Sequence, residues 1–381
     1  MNLAQAATGG PGSRATPAVR ALAPYVIGKP IGELARELGF AEEQIVKLAS
    51  NENPLGPSPL ALQAMQQALA QAWLYPDGNG HDLKAALARR HGVDAAQVTL
   101  GNGSNDLLVL LAESFLAPGS SAVYSQYAFA IYGIAVQATG ARHNVAPACH
   151  ASHSMSYGHD LGAMRAAIDA DTRLVYIANP NNPTGTWNTP AQLRDFLERV
   201  SADVIVALDE AYFEYSRRVD CPDGMSLIGE FANLVVLRTF SKAYGLAGVR
   251  VGYAISHPQI ADLLNRVRQP FNVGVPGLVG ALASLADERQ PRRAAQLVED
   301  GMAQLGAELP RLGVKLHPSA GNFVLAEVGG NAQLVYERLL HHGVIVRPVA
   351  GYGLPHALRI TIGTVEQNER LIAALAAVLR G

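Results

Sequence analysis

Cysteine is nearly absent: Cys149 and Cys221 are the only two in 381 residues. Two thiols build neither a disulfide framework nor the paired CxxC sites that hold zinc. The expectation is two unpaired thiols in a reducing compartment. Excess charge is missing too. A formal net charge of -2 offers no basic surface for nucleic acid or for an anionic membrane, so a small-molecule partner is expected. No stretch reaches the roughly 18 uninterrupted apolar residues of a membrane span. The opening segment MNLAQAATGGPGSRATPAVR has no apolar core of signal-peptide length. The chain therefore reads as soluble and cytoplasmic. Lysine is the last scarcity. Only Lys29, Lys47, Lys84, Lys242 and Lys315 occur among 30 basic residues, so an imine-forming amine must be one of these five.

What is present is apolar material in short blocks. The composition is 49% hydrophobic, enough for a large domain and a smaller one. Residues 1–24, rich in Ala, Gly, Pro and Ser, read as a mobile arm. Residues 51–279 read as the large domain; 25–50 with 280–381 read as the small one. LQAMQQALAQAWL and DLKAALARRHGV have helical texture, with Asp82 a plausible cap and Gly92 a plausible stop. Between helices lie SSAVYS, TRLVYIA, ADVIVALD, NLVVLRT and VRVGYAI. Most are continuously apolar, as strands buried on both faces of a mainly parallel sheet are. The alternation predicts an α/β architecture. After residue 275 a long helical stretch, interrupted near Pro291, leads into NFVLAEV, VIVRPV and LRITIG.

Ligands of open α/β sheets bind beyond the carboxyl ends of the strands, so the residues following each apolar run are the informative ones. After QVTL, Gly101 and Gly103 permit a tight turn, and Ser104 or Asn105 can cap the next helix. A helix N-terminus beside a hydroxyl suits a phosphate. After AVYS comes Tyr127, an aromatic that can stack on a planar ring; in isolation a core tyrosine is the plainer reading. After LVYIA comes NPNNPTG, a rigid loop carrying Asn182. After VIVAL come Asp209 and then Tyr212. A buried carboxylate needs a positive partner, and a protonated pyridine nitrogen is one; a helix cap is the alternative. After LVVLRT come Ser241 and Lys242, then Arg250. A desolvated lysine can be neutral enough to form an imine, and an arginine fork suits phosphate oxygens.

NPNNPTG, DEAY and TFSKAYGLAGVRVGY occur in that order, with Asp209 33 residues before Lys242. This set resembles the fold type I pyridoxal-phosphate aminotransferases, and within them the histidinol-phosphate aminotransferase family. KLASNENPLGPSP, YPDG, TLGNGSND, GNFVL and LRITIG extend the resemblance to nearly the whole chain from Pro24. It implies a mainly parallel seven-stranded sheet between helices plus a smaller α/β domain. It implies pyridoxal 5'-phosphate as cofactor, with Lys242 as imine lysine and proton shuttle, and Asp209 on the pyridine nitrogen. Tyr127 would stack on the ring; Asn182 and Tyr212 would hold its phenolic oxygen. Ser104, Asn105, Ser241 and Arg250 would hold its phosphate, with Tyr75 reaching it from the other subunit of a homodimer. Tyr25, Asn53, Arg347 and Arg359 would face the substrate. One common family form, GADE, is replaced here by Gly103-Ser104-Asn105-Asp106, which keeps hydrogen-bonding capacity.

The activity so implied is amino transfer from histidinol phosphate to 2-oxoglutarate, in histidine biosynthesis. The rivals are an aromatic amino acid aminotransferase and a decarboxylase of a phosphorylated amino acid such as threonine phosphate. A ligand-sensing regulator would need a DNA-binding module, for which the first 50 residues are too short and lack a basic stripe. His143, His150, His153 and His159 cluster in sequence but lack the carboxylate or cysteine pattern of a metal site.

Overall fold

A computed structural model describes residues 10–380. Strand β1 (Val46–Lys47) precedes a large sheet of β2 (Val98–Gly101), β3 (Ser121–Ser125), β4 (Arg142–Ala146), β5 (Thr172–Ala178), β6 (Ile205–Asp209), β7 (Leu234–Thr239) and β8 (Gly252–Ser256). Five shorter strands follow: β9 (Lys315–Leu316), β10 (Phe323–Glu327), β11 (Val344–Ile345), β12 (Arg347–Pro348) and β13 (Ala357–Thr361). The large sheet runs β2-β8-β7-β6-β5-β3-β4. Only β8 opposes its neighbours, pairing antiparallel with β2 and β7. The expected seven-stranded, mostly parallel sheet is what forms.

The continuous apolar runs have a direct explanation in this sheet. Val175, Ile177, Val206, Leu208, Leu234 and Val236 feed the core on one face. Leu174, Tyr176, Ile205, Ala207, Val235 and Leu237 feed the core on the other. A strand buried on both faces has no solvent side and needs no polar alternation. A second sheet, β12-β13-β10-β9, and the parallel pair β1-β11 build a separate core. There Val46 and Leu48 pack with Val298, Leu305, Leu358, Ile360 and Leu371, so the segment before residue 50 joins the C-terminal third.

Local expectations fare unevenly. Gly92 ends its helix in the left-handed region at φ 66, but the helix His81–His91 is entered from Gly80, not capped by Asp82. Asp77 takes that role from outside, accepting from the His81 N–H at 2.7 Å. The long C-terminal helical run breaks at Asp287, between Val275–Ala286 and Arg289–Glu308. Pro291 lies in the second helix's first turn, where a missing N–H costs nothing. Of the expected N-terminal arm, residues 1–9 lie outside the described residues. Residues 17–20 form a helical turn whose Ala18 carbonyl accepts from Gln137 Nε2 at 3.1 Å. No helix among the described residues is long and apolar enough to cross a membrane.

Candidate active site

Five strand ends converge on one cleft of about 260 Å³. β3, β5, β6 and β7 are parallel, and β2 points the same way because β8 opposes both β2 and β7. The segments that follow them therefore open on the same edge. Ser104, Asn105, Phe129, Asn182, Asp209, Tyr212, Ser241, Lys242 and Arg250 line the cleft from that edge; Tyr25, Arg347 and Arg359 line it from opposite. A larger cavity, about 1150 Å³, lies between the helices around His91 and Arg292 and contains none of the candidate residues. Size is a weaker guide here than converging chemistry.

Lys242 lies just beyond β7 and donates to the Ser50 carbonyl at 3.1 Å. Burial, followed by the nearby Arg359 guanidinium, pulls its amine down to about 8. Of the other lysines, Lys29, Lys47 and Lys315 pair with carboxylates, and Lys84 donates to Asn79. Asp209 ends β6 and is buried. Its Oδ2 accepts from Tyr132 Oη at 2.9 Å and its Oδ1 from the Ala211 N–H at 3.2 Å. Burial pushes its carboxyl up to about 6, against those two bonds and Lys242. With two lone pairs on each oxygen, Asp209 can still accept from a ligand.

Without a cationic partner that carboxylate costs stability, because burial raises its pKa. A folded pKa near 6 above the ordinary 3.8 penalises the native state wherever the folded group is charged. The penalty is full above pH 6, shrinks as pH falls through 6 towards 3.8, and vanishes below. Asp209→Asn should therefore stabilise the cofactor-free protein at pH 8 by up to about 3 kcal/mol, and by nothing near pH 3.5. Urea unfolding at the two pH values checks this; a destabilised variant at pH 8 would contradict it.

At the opposite end, the helix Ser104–Phe115 starts from Gly103, and neither Ser104 nor Asn105 caps it. Their side chains, and the first free N–H groups of the helix, stay available to an anion. Arg250 reaches the same corner, donating to Ser241 Oγ at 3.2 Å. Gly103 sits at φ 77, and a Cβ there would lie 2.3 Å from an Arg250 nitrogen. Glycine is thus required twice over, by backbone sign and by the guanidinium beside it.

The third corner is a buried arginine with no carboxylate partner among the described residues. Arg359, on β13, donates to Asn182 Oδ1 at 2.6 Å and to the Ala49 carbonyl. Its Nε has no partner, and burial lowers its pKa. A guanidinium in this position is an incomplete ion pair and calls for an anionic ligand. Arg347 is half-buried, donates to the Val26 carbonyl, and lies 5.6 Å from the Tyr25 ring.

Three expected residues need correction or relocation. Tyr127 does not reach the cleft; its ring packs with Tyr157, Leu325 and Val349. Phe129, two residues on, lines the cleft instead, because the turn after β3 rotates the chain before the helix Ala130–Thr139 begins. Asn53 spends its amide on the scaffold: Nδ2 donates to the Ala243 carbonyl at 2.9 Å and Oδ1 accepts from Leu55. It braces the turn after Lys242 and is not free for substrate. Asn51 is the residue of that motif that reaches inward, donating to Tyr212 Oη at 2.9 Å. Tyr75 lies outside its own chain's cleft, 82% exposed and stacked on Phe271 at 4.7 Å. The histidines go elsewhere. His159 is buried, held near pKa 4 by desolvation, and accepts from the Ala178 N–H at 3.3 Å; no group of three metal-ligating side chains forms among the described residues.

A family model described as "Aminotransferase class I and II" matches residues 43–375. Histidinol-phosphate aminotransferase 2 of Pseudomonas fluorescens is 55% identical over 96% of this chain and 97% of that protein. Histidinol-phosphate aminotransferase 1 of Thiobacillus denitrificans is 56% identical over 96% and 93%. The chain belongs to the histidinol-phosphate aminotransferase family. A solved family structure, the Sinorhizobium meliloti histidinol-phosphate aminotransferase in complex with pyridoxal-5'-phosphate, superposes with a TM-score of 0.87 at 32% identity, covering 97% of this chain and 98% of that one. For a member of this family, the cleft at the strand ends is where a phosphate-bearing ring would be sought.

Proposed function

We propose that this pyridoxal-phosphate-dependent aminotransferase moves the amino group of histidinol phosphate to 2-oxoglutarate, in histidine biosynthesis. The observation that carries the reading is the cleft's charge arrangement. One lysine of lowered pKa, one buried carboxylate and one buried arginine without an acidic partner face a common space. These residues fit the cofactor group by group. Lys242 suits its aldehyde, Asp209 its ring nitrogen, and Ser104, Asn105, Ser241 and Arg250 its phosphate. Asn182 and Tyr212 suit its phenolic oxygen, and Phe129 lines the cleft where it would face the ring.

When bound, pyridoxal phosphate supplies an electron sink for the carbon that bears the amino group. The rest is done by the chain. With a pKa near 8, Lys242 Nζ is partly neutral at physiological pH. It would hold the cofactor's aldehyde and, as a neutral amine, would move a proton at the substrate carbon. Such positioned acid–base help contributes roughly 100- to 10,000-fold. Asp209 keeps positive charge on the ring nitrogen favourable. Arg359 and Arg347 orient the anionic end of the substrate, phosphate or carboxylate in turn. That shared use explains how one cleft takes a phosphorylated donor and a dicarboxylate acceptor.

The same reading makes the protein a homodimer with Tyr75 reaching the neighbouring phosphate corner. Trp73 and Tyr75 stand 81% and 82% exposed on a loop beside Phe271, an arrangement that leaves a large apolar surface in water unless another chain covers it. A sedimentation mass of one chain would overturn this.

A panel of amino donors assayed with 2-oxoglutarate tests the substrate. Histidinol phosphate should exceed phenylalanine by at least tenfold in kcat/KM. Preference for phenylalanine would favour the aromatic alternative. Carbon dioxide release from threonine phosphate without a keto acid would favour the decarboxylase.

A further inference from the structure

Asp209 does not stand alone at the end of β6. Tyr132, fully buried in the first turn of the helix Ala130–Thr139, donates its Oη to Asp209 Oδ2 at 2.9 Å. Its ring is clamped. It stacks on Tyr176 of β5 at 4.7 Å and 4°, and meets Phe129 edge-on at 5.9 Å and 90°. Tyr176 is fixed in turn, donating to the Leu108 carbonyl at 2.7 Å. One turn of one helix thus supplies both the ring-facing Phe129 and the hydroxyl on Asp209. We propose that Tyr132 is a positioning residue that fixes the Asp209 carboxylate and keeps it ionised, and so sets the charge on the cofactor's ring nitrogen.

Burial works against the charge on Asp209, and three groups work for it: the Tyr132 hydroxyl, the Ala211 N–H and the Lys242 ammonium. The Ala211 bond is the longer, at 3.2 Å, and Lys242 acts on Asp209 only through space, since its amine donates to the Ser50 carbonyl. Tyr132 is then the strongest remaining fixed donor. The other titratable groups facing this corner are Tyr176 and Tyr212, both held well above their ordinary pKa by burial and therefore neutral. The adjacent Glu210 points away into its own pairing with Arg238 at 2.7 Å. A phenol held this far into its neutral form donates to Asp209 at all working pH values.

The inference rests on Lys242 and Asp209 being the cofactor's partners, but not on which amino donor is used. It is tested on the cofactor-loaded protein by following its visible absorbance against pH, with Tyr132→Phe and Tyr176→Phe compared. Both variants remove one hydroxyl from the same buried stack, but only the first removes the donor to Asp209. Tyr132→Phe should move the absorbance midpoint upward by half a pH unit or more, since a ring nitrogen less stabilised as a cation raises the proton affinity of the Lys242 linkage. It should lower kcat about 10- to 100-fold, the range of a hydrogen bond to a charged group, with KM within twofold. Tyr176→Phe should leave the midpoint in place. Equal shifts in both variants, or none in Tyr132→Phe, would overturn the proposal. Because the titration needs no substrate, its failure leaves the donor assignment standing. Conversely, a different preferred donor leaves the Tyr132 result valid. A wild-type protein that shows no visible band with pyridoxal phosphate would bring down both.

Discussion

Lys242→Ala should lose at least ~10⁴-fold in kcat, while Lys315→Ala stays within twofold of the unmodified protein. The size follows from the two tasks given to one amine: covalent attachment and proton transfer, the second alone contributing roughly 100- to 10,000-fold. Lys315 is the right control because it is exposed, lies on β9 at the edge of the smaller sheet, and pairs with Glu327 at 3.4 Å. Single-turnover kinetics with saturating pyridoxal phosphate measure the loss. Borohydride reduction and peptide mapping give an independent readout: one label, on the peptide containing Lys242. A label shared among several lysines, or retained turnover in Lys242→Ala, would end the assignment.

Arg359→Gln should lower kcat/KM for the amino donor and for 2-oxoglutarate together, by ~30- to 5,000-fold. That range corresponds to the about 2–5 kcal/mol carried by a buried, hydrogen-bonded charge pair across an interface. Arg359 belongs in that class because it is buried and has no acidic partner among the described residues; the anion of the substrate would complete the pair. Arg347→Gln should cost less, since that guanidinium is half-buried and more open to screening by water. Arg359→Lys should recover only part of the loss, because an ammonium lacks the planar fork. Steady-state kinetics of both half-reactions decide it. A change confined to one substrate would mean that the two anions occupy different places.

The candidate site was legible in the sequence to the extent that a residue's place in the cleft follows from its position just after a strand. Asp209, Lys242, Ser104 and Asn182 follow apolar runs directly, and a strand end admits little freedom in where the next residue goes. Legibility failed where a turn intervenes. Tyr127 and Phe129 are both aromatics after β3, and only the path of the loop decides which enters the cleft. Asn51 and Asn53 sit two apart in one extended motif. Asn51 adopts φ 54 and turns inward to Tyr212, while Asn53 turns to the Ala243 carbonyl. Tyr132 carried no sequence signal, since its partner lies 77 residues away.

Local chemistry was enough to predict a layered α/β architecture with strands buried on both faces, while the one lysine worth testing was singled out by the order of motifs around it. Side-chain polarity along the chain already encodes which segments must be buried on two faces. Folding in three dimensions chose among neighbours with equal chemistry. It brought Arg359 from the C-terminal sheet onto the loop that carries Asn182, and it left that guanidinium short of an anion. Such pairings depend on how distant segments meet, and no property of a residue's immediate neighbours in the chain contains that information.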